Sequence, residues 1–187
     1  MKTRTSERGV GLIIVIIITS FLLVVGLLLA MITGLGTSVA SNVRLQEQAF
    51  NAAEAGFNAG WTQVEENFIA AGWTNFDGHC LDTPANVAEP GEPEYFRKTT
   101  DEEFLNTLTA STNGVVFYRE TYAPAQGGGL DQRYFYTVFL VEDDGGGMNP
   151  DPTDVLMICI GTVQSGGNLT TARIEVGLAM QSSGTNP

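Results

Sequence analysis

The longest uncharged stretch of the chain lies near its N-terminus, where no charged residue occurs between Gly9 and Val43. Its aliphatic part, residues 10–35, can cross the roughly 30 Å hydrocarbon core of a bilayer, because a helix rises about 1.5 Å per residue. Basic residues dominate before this stretch and acidic residues dominate after it. The positive-inside rule therefore predicts a cytoplasmic N-terminus, with everything after Thr37 on the other side of the membrane.

The uncharged stretch continues into an amphipathic segment that contains no proline. Its apolar residues recur at spacings of three, four or seven, which is typical of one face of an α-helix: Val43, Phe50, Ala53, Phe57, Trp61, Val64 and Phe68. The sequence predicts one helix over about residues 10–69, whose second half packs on a globular head through this stripe, with Trp61 in the core. Gly34 and Gly36 are either a soft spot at the membrane exit or positions of close helix packing.

The rest of the chain predicts a small head built of one short helix and a sheet. Thr100 and Glu103 have the spacing of a capping box and predict a helix that runs to about Leu108. Strands are predicted, with glycine-rich turns between them, over Val115–Tyr122, Arg133–Glu142, Val155–Val163 and Ala172–Met180. Hairpin-like links predict an antiparallel meander, and the third strand is apolar on both faces. The fold class is α+β, a long helix packed on a four-stranded antiparallel sheet.

The exported part of the chain is strongly acidic. The whole chain carries a net charge of −12, and removing the three basic residues and one acidic residue of the first nine leaves −14. Such a surface is repelled by phosphate backbones, so we expect no nucleic-acid partner.

Two cysteines, Cys80 and Cys159, fall in the exported part. An oxidising compartment permits a disulfide between them, which contributes about 4 kcal/mol in the loop-entropy model. The alternative is that Cys159, inside the apolar run 155–160, is a buried thiol. We favour the disulfide, because an unbridged pair in an oxidising space is a liability.

Neither a metal site nor an active site stands out among the polar residues. The acidic loop 142–154 holds weak calcium candidates, Asp143, Asp144, Asp151 and Asp154, but their spacing fits no EF-hand and favours a solvated hairpin loop. His79 is the single histidine, and no zinc site or Ser-His-Asp arrangement can be assembled around it. We expect no cofactor and no enzymatic activity.

The N-terminal organisation resembles that of type IV pilins: a short basic leader ending in glycine, an aliphatic helix, and an amphipathic continuation. The runs 8–13 and 48–56, the latter reading Gln-Ala-Phe-Asn-Ala-Ala-Glu-Ala-Gly, resemble the PilX group of minor pilins. The resemblance implies that a prepilin peptidase cuts after Gly9 and methylates Val10. It divides the chain into a leader (1–9), a transmembrane and assembly half of the helix (10–36), and a periplasmic or extracellular head (37–187) with helix half 37–70 and sheet 114–181.

The same resemblance implies a function in type IV pilus assembly. A minor pilin of this kind resides in the inner membrane as a single-pass protein before it reaches the pilus, or fimbrium, at the cell surface. Its expected partners are other pilin subunits, contacted through the N-terminal helix, and a tip adhesin. The assembly residues named on this basis are Val10, Leu12, Ile14, Phe21 and Leu28.

One position departs from the pilin pattern. Most pilins carry a glutamate at the fifth mature position, which is Ile14 here, so the ion pair implied for that glutamate cannot form. The departure favours a low-abundance subunit at or near the filament tip. Two alternatives stay open: a pseudopilin of a type II secretion system, and a membrane-anchored periplasmic binding protein.

Overall fold

A computed structural model of the chain describes residues 6–122, 131–142 and 152–180. Its elements are α1 (Ser6–Ile69), α2 (Asp101–Thr107), β1 (Val115–Thr121), β2 (Tyr134–Val141), β3 (Asp154–Ser165) and β4 (Asn168–Ala179). The predicted α+β class, a long N-terminal helix with a four-stranded antiparallel sheet, is confirmed. The chain divides into two compact units, Met1–Arg44 and Leu45–Pro187.

Helix α1 is continuous, as predicted, and keeps its helical backbone through Gly34 and Gly36. It ends at Ile69, where the chain turns through Gly72 with a φ of 78°. A left-handed residue at this place is favourable for glycine and terminates a helix, because it directs the following amides back toward the last helical carbonyls. The amide of Trp73 accordingly donates to the Asn67 carbonyl at 3.2 Å.

The sheet is the predicted antiparallel meander, with strand order β1-β2-β3-β4. Strands β3 and β4 extend beyond their predicted ends at Val163 and Ala172 and pair up to Ser165 and Asn168. The reason is a two-residue turn at Gly166 and Gly167, the first with a φ of 63°. Such a turn lets polar residues, whose composition is typical of a loop, take part in the backbone pairing of the two strands.

Both faces of the sheet are covered, and β3 supplies buried side chains to each. Leu156, Ile158 and Ile160 pack on one face with α2 and the segment before it, whereas Val155, Met157 and Cys159 pack on the other face with α1. This alternation confirms the prediction that the third strand is apolar on both faces.

Helix α2 is anchored at its N-terminal end by two sets of hydrogen bonds, one at the N-cap and one at Asp101 in the first turn. Thr100 and Glu103 form the predicted capping box, with the Glu103 amide donating to the Thr100 hydroxyl at 3.3 Å. Asp101, in the first turn, accepts from Arg173 Nε of β4 at 2.8 Å, and the same guanidinium donates to the Phe96 carbonyl at 3.2 Å. Arg173 thus joins the last strand to the layer that covers the sheet.

The head half of α1 approaches the sheet through small residues. Ala49, Ala52 and Ala53 are fully buried, and Gly56 and Gly60 are buried one and two turns later; these five residues are called the docking strip below. A Cβ placed on Gly161 of β3 would overlap the Ala49 carbonyl oxygen and the Ala53 amide nitrogen. A Cβ on Gly60 would lie 2.8 Å from Val138 Cγ1. The helix backbone therefore rests directly on the sheet.

The predicted aromatic stripe is wrong as a description of the buried face. Ala53 and Val64 are buried and Phe57 and Phe68 are half-buried, but Phe50 is 46% exposed and Trp61 is 50% exposed. Near Gly161 the helix lies so close to the strand that only small side chains fit between them. The larger side chains of Phe50 and Trp61 therefore lie beside this contact and not within it. Trp61, predicted in the core, lies on the surface.

Replacing Gly161 by alanine tests the direct contact between helix and strand. We expect Gly161→Ala to lower the free energy of unfolding by about 3 kcal/mol, the upper end of the overpacking range, because the clashing atoms belong to the backbone. Thermal unfolding of the full chain in detergent, followed by circular dichroism, measures this as a lower melting temperature. Gly177→Ala in β4 is the control, since a Cβ there meets nothing within 4 Å. Equal melting temperatures for the two variants would refute the close contact.

Removing Arg173 tests the link between β4 and α2. The Arg173 side chain is 17% exposed and that of Asp101 is 16% exposed. We therefore expect Arg173→Ala to lower the free energy of unfolding by about 1.5–3 kcal/mol, the range for hydrogen bonds to charged groups. Arg133→Ala removes a local pair with Asp131, two residues away, in which the Arg133 side chain is 67% exposed. It should leave the melting temperature nearly unchanged, because water screens the exposed charge. An Arg173 variant as stable as the Arg133 variant would contradict this role.

Candidate functional site

The first candidate site is the uncharged part of α1. It is the one segment among the described residues that is long and apolar enough to cross a membrane, and none of its most apolar part is buried. The large aliphatic and aromatic side chains between Leu12 and Leu35 that point outward are 50% to 67% exposed, and they occur on all sides of the helix. A helix that is apolar all round needs an apolar environment, either lipid or other helices.

Two threonine hydroxyl groups within this stretch donate to carbonyl groups of the helix itself. Thr19 Oγ1 donates to the Val15 carbonyl at 2.9 Å, and Thr33 Oγ1 donates to the Leu29 carbonyl at 2.8 Å. In a medium without water, an unpaired hydroxyl costs several kcal/mol, so internal pairing suits these threonines to an apolar environment.

The residues predicted for processing and assembly all lie on α1. Gly9 and Val10 are in its first turns. Leu12, Ile14, Phe21 and Leu28 are 65%, 50%, 67% and 54% exposed, so each is available for contact with lipid or another helix. Their roles in cleavage and assembly stay predictions.

The two cysteines lie in the core region between α1 and the sheet. Cys159 is fully buried on β3, and Cys80 packs against the same cluster from the loop after α1. Both are free thiols in the structure, so the predicted disulfide is not confirmed. Burial raises the pKa of each thiol to about 12, and Glu142 and Asp77 add to the effect at Cys80. Both sulfurs are therefore protonated at neutral pH and are poor nucleophiles.

The calcium prediction falls mostly outside the described residues, which do not include Asp143, Asp144 and Asp151. Asp154 is the first residue of β3. Among the residues that the structure describes, no group of three or more His, Cys, Asp or Glu side chains is placed to hold a metal ion.

A polar cleft of about 310 Å³ lies beside the end of α1. It is lined by Gln63, Asn67, Trp73, His79 and the segment 112–116 that leads into β1. The rings of Trp73 and His79 stack in it, with centroids 3.8 Å apart and planes 12° apart. From the sequence, His79 belongs to no zinc site and to no Ser-His-Asp arrangement, and nothing links it to Trp73. Their partnership has no signal in the spacing, because three separate segments build the cleft.

A second depression, called the apolar groove, lies between the end of α1 and β4. It measures about 530 Å³ and is lined mainly by apolar side chains: Trp61, Val64, Phe68, Ile69, Phe76, Leu178 and Met180, with Glu65 at α1. Phe68 connects the wall of the apolar groove to that of the polar cleft. The centroid of its ring lies 5.2 Å from that of Phe76 in the groove and 5.6 Å from that of Trp73 in the cleft, with the rings nearly perpendicular in both pairs.

Comparison with known proteins identifies the N-terminal region. Residues 8–58, less than a third of the chain, match the family model described as PilX N-terminal. The match spans the apolar part of α1 and most of the docking strip, and it confirms the predicted resemblance of this region to PilX-like type IV minor pilins. No curated protein and no solved structure matches the chain.

Thiol alkylation tests the state of the two cysteines. A thiol of pKa about 12 has about a thousandfold less thiolate at pH 8 than one of pKa 9, so iodoacetamide should label neither cysteine in the folded protein and both after unfolding without reductant. Mass spectrometry counts the labels. If the unfolded protein takes labels only after reduction, the cysteines are joined by a disulfide and the thiol assignment is wrong.

Proposed function

We propose that this protein is a PilX-type minor pilin that takes part in type IV pilus assembly at or near the filament tip. The carrying observation is the uncharged part of α1, which is apolar on all sides and lies within the region that matches the PilX family model. The work of such a subunit is packing rather than catalysis, and its partners are other pilin subunits.

The exposed apolar side chains in the uncharged part of α1 can move from one apolar environment to another. In the inner membrane they contact lipid, and in a filament the same side chains contact the helices of neighbouring subunits. Because lipid tails and aliphatic side chains are similarly apolar, the transfer needs no large change in free energy per contact. Open helical assemblies arise when such head-to-tail contacts repeat without closing.

The docking strip supports a firm attachment of the second half of α1, residues 45–69, to the sheet. Ala49, Ala52 and Ala53 lie against Gly161 without intervening side chains. Backbone contact of this kind resists sliding of residues 49–60 on the sheet. A tip subunit whose head contacts a partner needs a head that is firmly packed in itself.

Ile14 supports a position at the tip rather than along the shaft. It replaces the glutamate that most pilins carry at the fifth mature position, so the subunit can enter an apolar helix bundle without offering the carboxylate of an internal ion pair. We further propose that the head lies in the periplasm before assembly, since basic residues precede the apolar segment and acidic residues follow it.

N-terminal processing tests this function. In the native membrane we expect a mature chain that begins at a methylated Val10, read by mass spectrometry of the extracted protein. Gly9→Leu should abolish processing and reduce the number of surface filaments, because a bulky residue at the cut blocks the peptidase. Gly11→Ala is the control, as a Cβ there meets nothing within 4 Å, and it should be processed normally.

The outcomes separate the proposed function from its alternatives. A chain that keeps Met1 in the presence of the peptidase contradicts the pilin proposal and favours an anchored binding protein. Normal filament numbers after deletion of the gene, together with loss of secretion of a folded exoprotein, identify a pseudopilin instead.

A further inference from the structure

We infer that the polar cleft is a binding site for one neutral sugar unit of a glycan. The inference concerns the cleft alone and does not depend on cleavage, methylation or filament formation. It rests on the volume, the hydrogen-bonding groups, the aromatic wall and the charge of the cleft.

The walls of the cleft are fixed by the fold. Gly114, with a φ of 79°, fits tightly against the backbone of Cys80 and Leu81, where a Cβ would overlap. Its carbonyl accepts from the Leu140 amide of β2 at 2.8 Å. On the opposite side, the Trp73 amide is bonded to the Asn67 carbonyl of α1. A site whose backbone is already in place loses little conformational entropy when a ligand binds.

The amides that face the cleft have unused hydrogen-bonding capacity. Gln63 Nε2 donates to Asn67 Oδ1 at 3.3 Å, which orients the two side chains. Within the described residues, the structure gives no protein partner to Gln63 Oε1 or Asn67 Nδ2, which are one acceptor and one donor. A pair of adjacent sugar hydroxyls matches them, because each hydroxyl both donates and accepts.

The aromatic wall adds a surface for the carbon skeleton of a sugar. Trp73 and His79 are half-buried and stacked, and Phe68 packs edge to face on Trp73. Since Trp73 and His79 cover each other's inner faces, the surface left for a sugar is the outer face of the stacked pair, whose partial negative charge attracts the weakly positive C–H groups of a pyranose ring. Amides together with a half-exposed aromatic wall suit a ligand that is polar at its edge and apolar on its face.

Charge and size narrow the ligand class. No Lys, Arg, Asp or Glu is among the described residues that line the cleft, so a charged ligand would lose hydration without gaining an ion pair. The net charge of −12 disfavours anionic sugars further. A volume of about 310 Å³ is at the small end for ligand sites, which span roughly 300 to 1,000 Å³, and fits a single hexose better than a long oligosaccharide.

The two tryptophans of the chain provide the test. Trp73 lines the polar cleft and Trp61 lines the apolar groove, so their indole N–H signals in a proton–nitrogen NMR spectrum report on the two surfaces separately. The full chain is held in lauryldimethylamine oxide micelles, because alkyl glucoside detergents would themselves be ligands. Glucose, galactose, mannose and N-acetylglucosamine are titrated, with sialic acid and a blocked tripeptide as comparison probes.

We expect at least one neutral hexose to shift the Trp73 signal saturably, with a dissociation constant of the order of 1 mM, and to leave the Trp61 signal in place. Gln63→Ala should weaken that binding about tenfold, because one wall loses its amide. Gln48→Ala, the same substitution on the same helix outside the cleft, should leave the affinity unchanged.

Three results overturn the inference. The first is no saturable Trp73 shift by any neutral hexose up to about 50 mM, far above the expected dissociation constant. The second is a larger shift with sialic acid or with the tripeptide, which would assign the cleft to anions or to peptides. The third is an unchanged affinity in the Gln63 variant, which would place the binding elsewhere.

Discussion

The direct contact of the α1 backbone with Gly161 determines how the rest of the head is arranged. A helix usually rests on a sheet through large side chains, but here Ala49, Ala52 and Ala53 bring the two backbones together. This contact sets the rotation of the helix, which in turn decides which residues are buried and which face outward. The half-exposed positions of Phe50 and Trp61, and the grouping of Gln63 with Asn67 beside the cleft, follow from that one rotation.

The sequence predicts the elements well where local chemistry decides them. The glycine turn between β3 and β4, the alternation along β3 and the capping box at Thr100 each carry their information within a few neighbouring residues, and the structure has each of them. The long helix is equally local, since an apolar run without proline leaves few alternatives. The match to the PilX N-terminal region agrees with the residues that indicated the family.

The sequence predicts less well where distant segments meet. Hydrophobic spacing alone predicts the aromatic residues of α1 beneath the helix, because the stripe carries no information about Gly161, which lies far along the chain in β3. Both α1 and β3 carry small residues where they meet, and this complementarity can be recognised only when the two elements are packed together. The cleft was missed for the same reason: Gln63, Trp73 and Asn113 belong to segments with no shared motif.

The two borders of the sheet are unequal. Strand β1 carries register shifts and a residue with positive φ, Arg119 at 49°, whereas β4 runs regularly for twelve residues. Irregularities in an edge strand hinder pairing with another chain, whereas a regular edge strand presents unpaired amide and carbonyl groups at even spacing. Among the described strands, β4 has a neighbour on one side alone, so any strand borrowed from another molecule would add there. The net charge of −12 makes copies of this chain repel one another, and this repulsion opposes the pairing of two copies along that border.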